Sequence, residues 1–210
     1  CEEGALRRRA LHASALKVVQ AVGYRGAGTV EFVANAQGEL YFLEVNARLQ
    51  VEHPVTEAVT GLDLVEQQLR VAAGERLASE VLTATPQGHA VEARVYAEDP
   101  GRGFLPQPGH IQELSWPSGE GIRVDAGVVA GLDVTPHYDP MLAKLIAFGA
   151  DRAQAIARLD AALATTRLRL VGPKGDRVTN LAFLRQVLAE PAFASGDYDT
   201  GLAERLVTRG

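Results

Sequence analysis

The chain is 210 residues long, 47% hydrophobic and 22% charged, with a net charge of −5, so it can bury a sizeable core as one large or two small soluble domains. That mild acidity excludes the basic stripe of a nucleic-acid binder, and no apolar run of about 18 residues exists to span a membrane. Arg7-Arg8-Arg9 precedes a mixed helix rather than the apolar stretch of a signal peptide, the start at Cys-Glu-Glu suggests a fragment or processed chain, and the single Cys1 forms no internal disulfide, which suits a reducing cytoplasmic setting.

In chain order, residues 5–22 read as a helix, with Leu11, Ala15, Val18 and Val22 at helical spacing and Gly23 as a natural C′ residue. Gly23, Gly26 and Gly28 lead into a strand at 29–34. No Lys-Ser/Thr follows them, so they are turn residues rather than a phosphate loop. A turn over Asn35-Ala-Gln-Gly38 and a strand from 39 towards 46 complete a hairpin. Residues 63–73 read as a helix, with Asp63 as N-cap, Glu66 at N3 as in a capping box, and Val65, Leu69 and Ala72 on the inner face. The polar stretch 78–88, with Pro86 and Gly88, marks a boundary and divides the chain into domains 1–86 and 87–210. Short strand candidates follow at 89–97, 110–114, 121–125 and 142–148. Asp151 caps a helix through about residue 164 with Ile156, Leu159 and Leu163 on one side, and a last helix from about 179 ends before Pro191. The fold class is α+β, mostly antiparallel sheet with helices.

Residues 44–52 carry the chemistry. Glu44, Asn46, Arg48, Gln50 and Glu52 alternate with apolar Val45, Ala47, Leu49 and Val51, a period that puts one set on each face of an extended segment. A charged edge strand that discourages aggregation would not need Asn and Gln interleaved with both signs of charge. If a four-residue turn pairs Ala34 with Glu39, Glu31 faces Phe42 and Glu44 is its diagonal neighbour on the same face. Two carboxylates about 5 Å apart repel by roughly 3 kcal/mol at an effective dielectric near 20. A divalent cation removes that cost, and Mg²⁺ favours one or two carboxylates with water and substrate phosphates. Glu31, Glu44 and Asn46 are therefore candidate magnesium ligands, and a one-residue slip would separate the two acids onto opposite faces. Arg94 sits on a period-two strand between Glu92 and Tyr96, where it makes either a salt bridge in the sheet or a functional contact. His53 before Pro54 reads as a turn-fixing residue, Lys144 as a half-buried strand residue, and Asp139 as a turn residue.

These residues resemble those of a known family. Gly26-Ala-Gly-Thr-Val-Glu-Phe32 and Tyr41-Phe-Leu-Glu-Val-Asn-Ala-Arg-Leu-Gln-Val-Glu-His-Pro-Val-Thr-Glu57 look like the C-terminal half of biotin carboxylase, an ATP-grasp enzyme. The similarity continues through Gly88-His-Ala-Val-Glu-Ala-Arg-Val-Tyr-Ala-Glu-Asp-Pro100, Phe104-Leu-Pro-Gln-Pro-Gly109 and Tyr138-Asp-Pro-Met-Leu-Ala-Lys-Leu145. The resemblance implies the C-terminal part of an ATP-grasp domain followed by a biotin carboxylase C-terminal domain. It implies that Glu31, Glu44 and Asn46 hold two Mg²⁺ or Mn²⁺ ions on ATP. Arg48, Gln50 and the backbone of Val51 would cradle bicarbonate, with Glu52 as its base. Arg94 would stabilise the biotin enolate. Implied partners are biotin on a carrier protein, a carboxyltransferase and a second copy of the biotin carboxylase component. The chain carries one residue more between Glu31 and Glu44 than bacterial members of the family, which bears on the hairpin register.

Glu44-x-Asn46-x-Arg48 is shared with other ATP-grasp ligases, such as a carbamoyl phosphate synthetase half, but Gln50-Val-Glu-His-Pro54 argues against that reading. A non-catalytic oligomerisation module need not have kept the polar row 44–52. The family's lid, with its glycine-rich loop and lysines over the phosphates, is not among these 210 residues. Acid–base groups without phosphate clamps lose the positioning that phosphoryl transfer needs. The 210 residues alone are therefore expected to give no ATP-dependent carboxylation of free biotin. Turnover above that of a Glu52→Ala control would contradict this.

Overall fold

The computed structural model describes residues 2–35 and 37–208. It divides into two compact units, one running to His53 and resuming over Gly61–Ala84, the other formed by Pro54–Thr60 and Thr85 onward. Cys1, and with it the single-thiol reading, lies outside the described residues, as does Ala36 in the hairpin turn. Among the described residues no helix is long and apolar enough to cross a membrane.

The first unit opens with α1 (Glu2–Ala21), which stops where Gly23 takes the left-handed conformation (φ 61°). Tyr24 N–H returns to the Val19 carbonyl at 3.0 Å. Leu11, Ala15 and Val18 are half-buried as the spacing predicts, while Val22 is exposed. β1 (Thr29–Ala34) and β2 (Leu40–Asn46) form an antiparallel pair. Their turn is held by Asn35, whose Oδ1 accepts from Glu39 N–H at 2.9 Å while its amide donates to the Glu39 carboxylate at 2.6 Å.

The register differs from the expected one. Ala34 pairs with Leu40 rather than Glu39, because the turn takes five residues instead of four, and a β-bulge lies between Glu31 and Phe32. Phe32 pairs with Phe42 and Glu31 with Glu44, leaving Leu43 as the extra residue. The strand also ends at Asn46, so the alternation of 44–52 is not one extended segment; residues 47–52 are irregular and α2 (His53–Thr60) follows. Pro54 suits the first turn of that helix, where a missing N–H costs no bond.

α3 (Leu64–Ala72) is capped as expected: Asp63 accepts from Glu66 N–H at 2.8 Å. Two details are corrected. Glu66 pairs forward with Arg70 at 2.7 Å, and the expected inner residues Val65, Leu69 and Ala72 are all exposed; Leu64, Gln67 and Val71 face inward instead. α4 (Ser79–Thr83) forms inside the stretch read as a polar boundary.

The second unit is mostly antiparallel sheet. Its elements are β3 (His89–Tyr96), β4 (Glu98–Asp99), a 3₁₀ turn Pro100–Arg102, β5 (Leu105–Pro106), β6 (Gly109–Ser115), β7 (Ile122–Ala126), β8 (Asp133–Val134) and β9 (Met141–Gly149). They continue with α5 (Arg152–Thr165), β10 (Arg167–Gly172), β11 (Gly175–Asp176), α6 (Leu181–Ala189), α7 (Pro191–Ser195) and α8 (Leu202–Val207). One sheet has the order β3-β9-β7, another β11-β10-β6-β8, and β4 pairs with β5. The expected strands and the α5 and α6 helices are all present. β10 was not expected, because it follows α5 with no Gly or Pro to mark a turn, although Arg167-Leu-Arg-Leu-Val alternates.

Period-two alternation gives the β3-β9-β7 sheet one apolar face. Val91, Ala93 and Val95 of β3 with Leu145 and Ala147 of β9 pack against Ala155, Leu159 and Leu163 of α5. Asp151 starts α5 by accepting from Gln154 N–H at 2.8 Å. A second core joins Ala97, Ile111, Leu142 and Leu170. Leu159 is fully buried at the centre of the first core, so Leu159→Ala should cost about 2–5 kcal/mol, read as a lowered urea midpoint with unchanged slope.

Candidate active site

The bulge builds the acidic end of the first unit's site. With Leu43 inserted, Glu44 stands directly across the strand pair from Glu31. Asn46 bridges the two acids: its side-chain amide donates to Glu31 Oε1 at 2.8 Å and to Glu44 Oε1 at 3.0 Å. The Asn46 Oδ1 in turn accepts from Arg48 Nη2 at 3.2 Å, and Arg48 Nη1 donates to Gln50 Oε1 at 2.7 Å and to the Leu49 carbonyl at 3.2 Å. Glu31, Glu44, Asn46, Arg48 and Gln50 therefore form one hydrogen-bonded chain, even though the strand stops at Asn46.

No group of three or more His, Cys, Asp or Glu among the described residues is placed to hold a metal. Two carboxylates with an amide are nevertheless what Mg²⁺ uses when phosphates and water complete its shell. The Asn46 NH₂ occupies the position between the two acids that a cation would take. Turning the amide over would present Oδ1 to a cation and NH₂ away from it, so the donor set fits a hard divalent ion. Arg48 offers the complementary charge. Among the described residues its hydrogen bonds go to neutral oxygens only, so an exposed guanidinium is held in place without being neutralised. That is the requirement for binding an oxyanion.

Val51 is half-buried and Glu52 exposed, in the turn before α2. His53 closes this turn with its Nδ1–H donating to the Gln50 carbonyl at 2.7 Å, as expected of a turn-fixing histidine. Asp139 is a turn residue too, accepting from Met141 N–H at 2.8 Å.

Arg94 belongs to the second unit. It lies on the charged face of the β3-β9-β7 sheet, opposite the α5 core, with its Nε 3.8 Å from the buried Glu92 carboxylate. Arg94 pairs across with Lys144, and Lys144 with Asp125 of β7, whose carboxylate lies 3.5 Å from Lys144 Nζ. Arg123, on the same face, binds Asp125 through Nε and Nη2 at 2.7 and 2.9 Å and donates through Nη1 to Glu57 of α2 at 2.6 Å. Glu57 is only 7% exposed, a burial that its Arg123 partner makes tolerable. Three acids, Glu57, Glu92 and Asp125, thus accompany three cations, Arg94, Arg123 and Lys144, on this face.

The sequence reading did not single out Glu57, Arg123 or Asp125. Arg123 and Asp125 were accessible as same-face residues of a period-two strand, Ile-Arg-Val-Asp-Ala. Glu57 carried no signal beyond its place in the motif.

Residues 92–205 match the biotin carboxylase C-terminal domain family, and residues 5–80 match the carbamoyl-phosphate synthase L chain ATP-binding domain. The chain is 49% identical over 187 residues to biotin carboxylase 2 of Bacillus subtilis, covering 89% of this chain and 40% of that protein. It is 38% identical, with a TM-score of 0.86, to the bicarbonate-bound biotin carboxylase domain of a thermophilic 2-oxoglutarate carboxylase, covering 95% of this chain and 44% of that one. The Hydrogenobacter thermophilus 2-oxoglutarate carboxylase biotin carboxylase domain dimer, in complex with MgADP, ADP and bicarbonate, is 39% identical with a TM-score of 0.83, covering 91% and 41%. The chain spans about two fifths of the length of such relatives.

The charge network has a pH consequence. Burial pushes the Asp125 carboxyl up, but the hydrogen bonds and charge of Arg123, with Lys144, outweigh it and hold the group below its ordinary 3.8. The stability this lowering contributes is present above 3.8 and is lost as pH falls through the lower folded-state value. Asp125→Asn should therefore lower the urea midpoint at neutral pH, with the gap to wild type closing in strong acid.

Proposed function

Since the chain belongs to the biotin carboxylase C-terminal domain family, we propose that it is the C-terminal part of a biotin carboxylase, which uses MgATP and bicarbonate to carboxylate biotin on a carrier protein. Residues 1–86 would complete the ATP-grasp domain and 87–210 would form the family's C-terminal domain. The observation that carries this reading is the acid-to-cation chain, Glu31 and Glu44 through Asn46 to Arg48 and Gln50. It has two carboxylates at one end and an exposed guanidinium at the other, which supports a reaction that needs both a metal-bound nucleotide and bicarbonate.

Glu31, Glu44 and Asn46 would hold Mg²⁺ or Mn²⁺, two ions in all, which supply charge neutralisation on the ATP phosphates. Arg48 and Gln50, preset by their mutual hydrogen bond, with the Val51 N–H, receive bicarbonate. Glu52 takes the bicarbonate proton; the resulting oxyanion attacks the γ-phosphorus and ADP leaves, giving carboxyphosphate. Carboxyphosphate yields CO₂ and phosphate, and the released phosphate takes the ureido N–H proton of biotin. Arg94 stabilises the enolate form of the biotin ureido group, whose nitrogen then bonds to CO₂. In this reading the enzyme is an ATP-dependent ligase working with a carrier, a carboxyltransferase and a second copy of itself, in the reducing cytoplasm that a one-cysteine chain suits.

A carbamoyl phosphate synthetase half is disfavoured by the identity to biotin carboxylases across both units, although residues 5–80 alone match a domain named for that enzyme. In the complete enzyme, Glu52→Gln should lower the kcat of bicarbonate-dependent ATP cleavage by about 10²–10⁴-fold, the range for loss of a general base. Arg94→Gln should spare that step and lower carboxylation of free biotin. ATP cleavage that ignores bicarbonate, or is untouched by Glu52→Gln, would overturn the proposal.

A further inference from the structure

β3 is an edge strand of the β3-β9-β7 sheet. At such an edge, alternate residues turn backbone N–H and C=O groups away from the sheet. Beside Arg94 those groups are taken by one residue, Asn180, from 84 to 86 positions further along the chain. Its side-chain amide donates to the Arg94 carbonyl at 2.9 Å and its Oδ1 accepts from Tyr96 N–H at 2.8 Å. Its own backbone N–H donates to the Tyr96 carbonyl at 3.2 Å. One primary amide thus does the work of a neighbouring strand's peptide group, offering one donor and one acceptor at the spacing that β3 presents.

Two features separate this from ordinary helix capping. Asn180 sits at the N-cap of α6, a position where Asn normally binds its own helix, yet its side chain makes no capping bond. The side chain is directed to β3 instead. Asn180 is also only 5% exposed, so the three bonds are sheltered from water and each is costly to lose. Its support is rigid: Leu184 N–H bonds the Asn180 carbonyl at 2.9 Å, and Leu188 of α6 is buried in the core under the sheet.

We propose that Asn180 is a positioning residue for Arg94, fixing the edge-strand backbone from which the guanidinium projects. This rests on the reading of Arg94 given under Proposed function. With the Arg94 carbonyl and the Tyr96 N–H both held, the direction in which the Arg94 side chain leaves the strand is set before substrate arrives. Glu92, on the same face, then acts on the far end, 3.8 Å from Nε. Preorganised donors of this kind need no reorientation as charge develops on the substrate.

The test compares two activities of the complete carboxylase on a single preparation: bicarbonate-dependent ATP cleavage without biotin, and ATP-dependent carboxylation of free biotin. Their ratio does not depend on what fraction of the protein is folded. Asn180→Asp keeps the shape and the acceptor for Tyr96 N–H but sets a carboxylate oxygen against the Arg94 carbonyl; Asn180→Ala removes both bonds. Both should lower the ratio of carboxylation to cleavage by about ten- to a hundred-fold, through kcat, as misplacement of a reacting group does. Arg94→Gln run in parallel should lower it at least as far. Asn180 variants with an unchanged ratio, beside an Arg94→Gln that lowers it, would overturn the positioning role while leaving the reading of Arg94 intact. An unchanged ratio in Arg94→Gln would overturn that reading, and this inference with it.

Discussion

One inserted residue, Leu43, decides which way Glu44 points. Were the ladder regular, with no bulge at Leu43, the pairing of Phe32 with Phe42 would continue to Glu31 with Leu43, and side-chain alternation would send Glu44 to the opposite face from Glu31. The bulge reverses the alternation at one step and sets two carboxylates face to face. An antiparallel pair does not gain by opposing like charges. The arrangement persists because the Asn46 amide bridges both acids, and its own oxygen is tied to Arg48. The acidic pair, the amide and the guanidinium are therefore consequences of one backbone irregularity followed by side-chain hydrogen bonding. The Asn46 amide supplies the donor that both acids face.

The second unit solves a different problem with a regular sheet. Alternation on β3 and β9 divides Val91, Ala93, Val95, Leu145 and Ala147 from Glu92, Arg94 and Lys144. The first set disappears under α5, forming the larger of the two apolar cores. The second set, with Asp125 and Arg123 of β7, needs internal neutralisation because several members are nearly buried; Glu57 and Glu92 are 7% and 5% exposed. Packing on one face of the sheet holds the backbone that aims charges on the other. The Arg94 backbone is thus fixed while its side chain remains partly exposed.

The sequence made the local part of this legible. Asp63 and Asp151 cap helices as their spacing requires, Gly23 ends α1 in the left-handed conformation, and the leucines of α5 face the sheet. The polar row from Glu44 to Gln50 was visible as a pattern, although its physical basis differs: hydrogen bonding, not an extended strand, aligns Arg48 and Gln50. What stayed hidden depends on non-local partners. The bulge at Leu43 is decided by a turn of five residues and by pairing across the hairpin, which no count along one strand gives. The face of α3 was misread because Val65 and Leu69 are apolar yet exposed, so composition pointed to the wrong side. Glu57 finds Arg123 across 66 residues, and Asn180 finds Arg94 across 86.

The arginines of the chain sort by the charge of what they touch. Arg123 is held by two carboxylates, Asp125 and Glu57, and their hydrogen bonds and charges raise its already high pKa further, so its positive charge is consumed within the fold. Arg48 is held just as firmly, by Asn46, Gln50 and the Leu49 carbonyl, but neutral oxygens fix direction without cancelling charge. Arg94 stands between these cases, 3.8 Å from Glu92 and anchored through its backbone by Asn180. A guanidinium oriented by neutral groups or by its backbone keeps its field for an incoming anion, whereas one bound by acids has its field already answered. On that ground Arg123 belongs to the architecture, Arg48 keeps its charge exposed among neutral oxygens, and Arg94 shares its charge with Glu92.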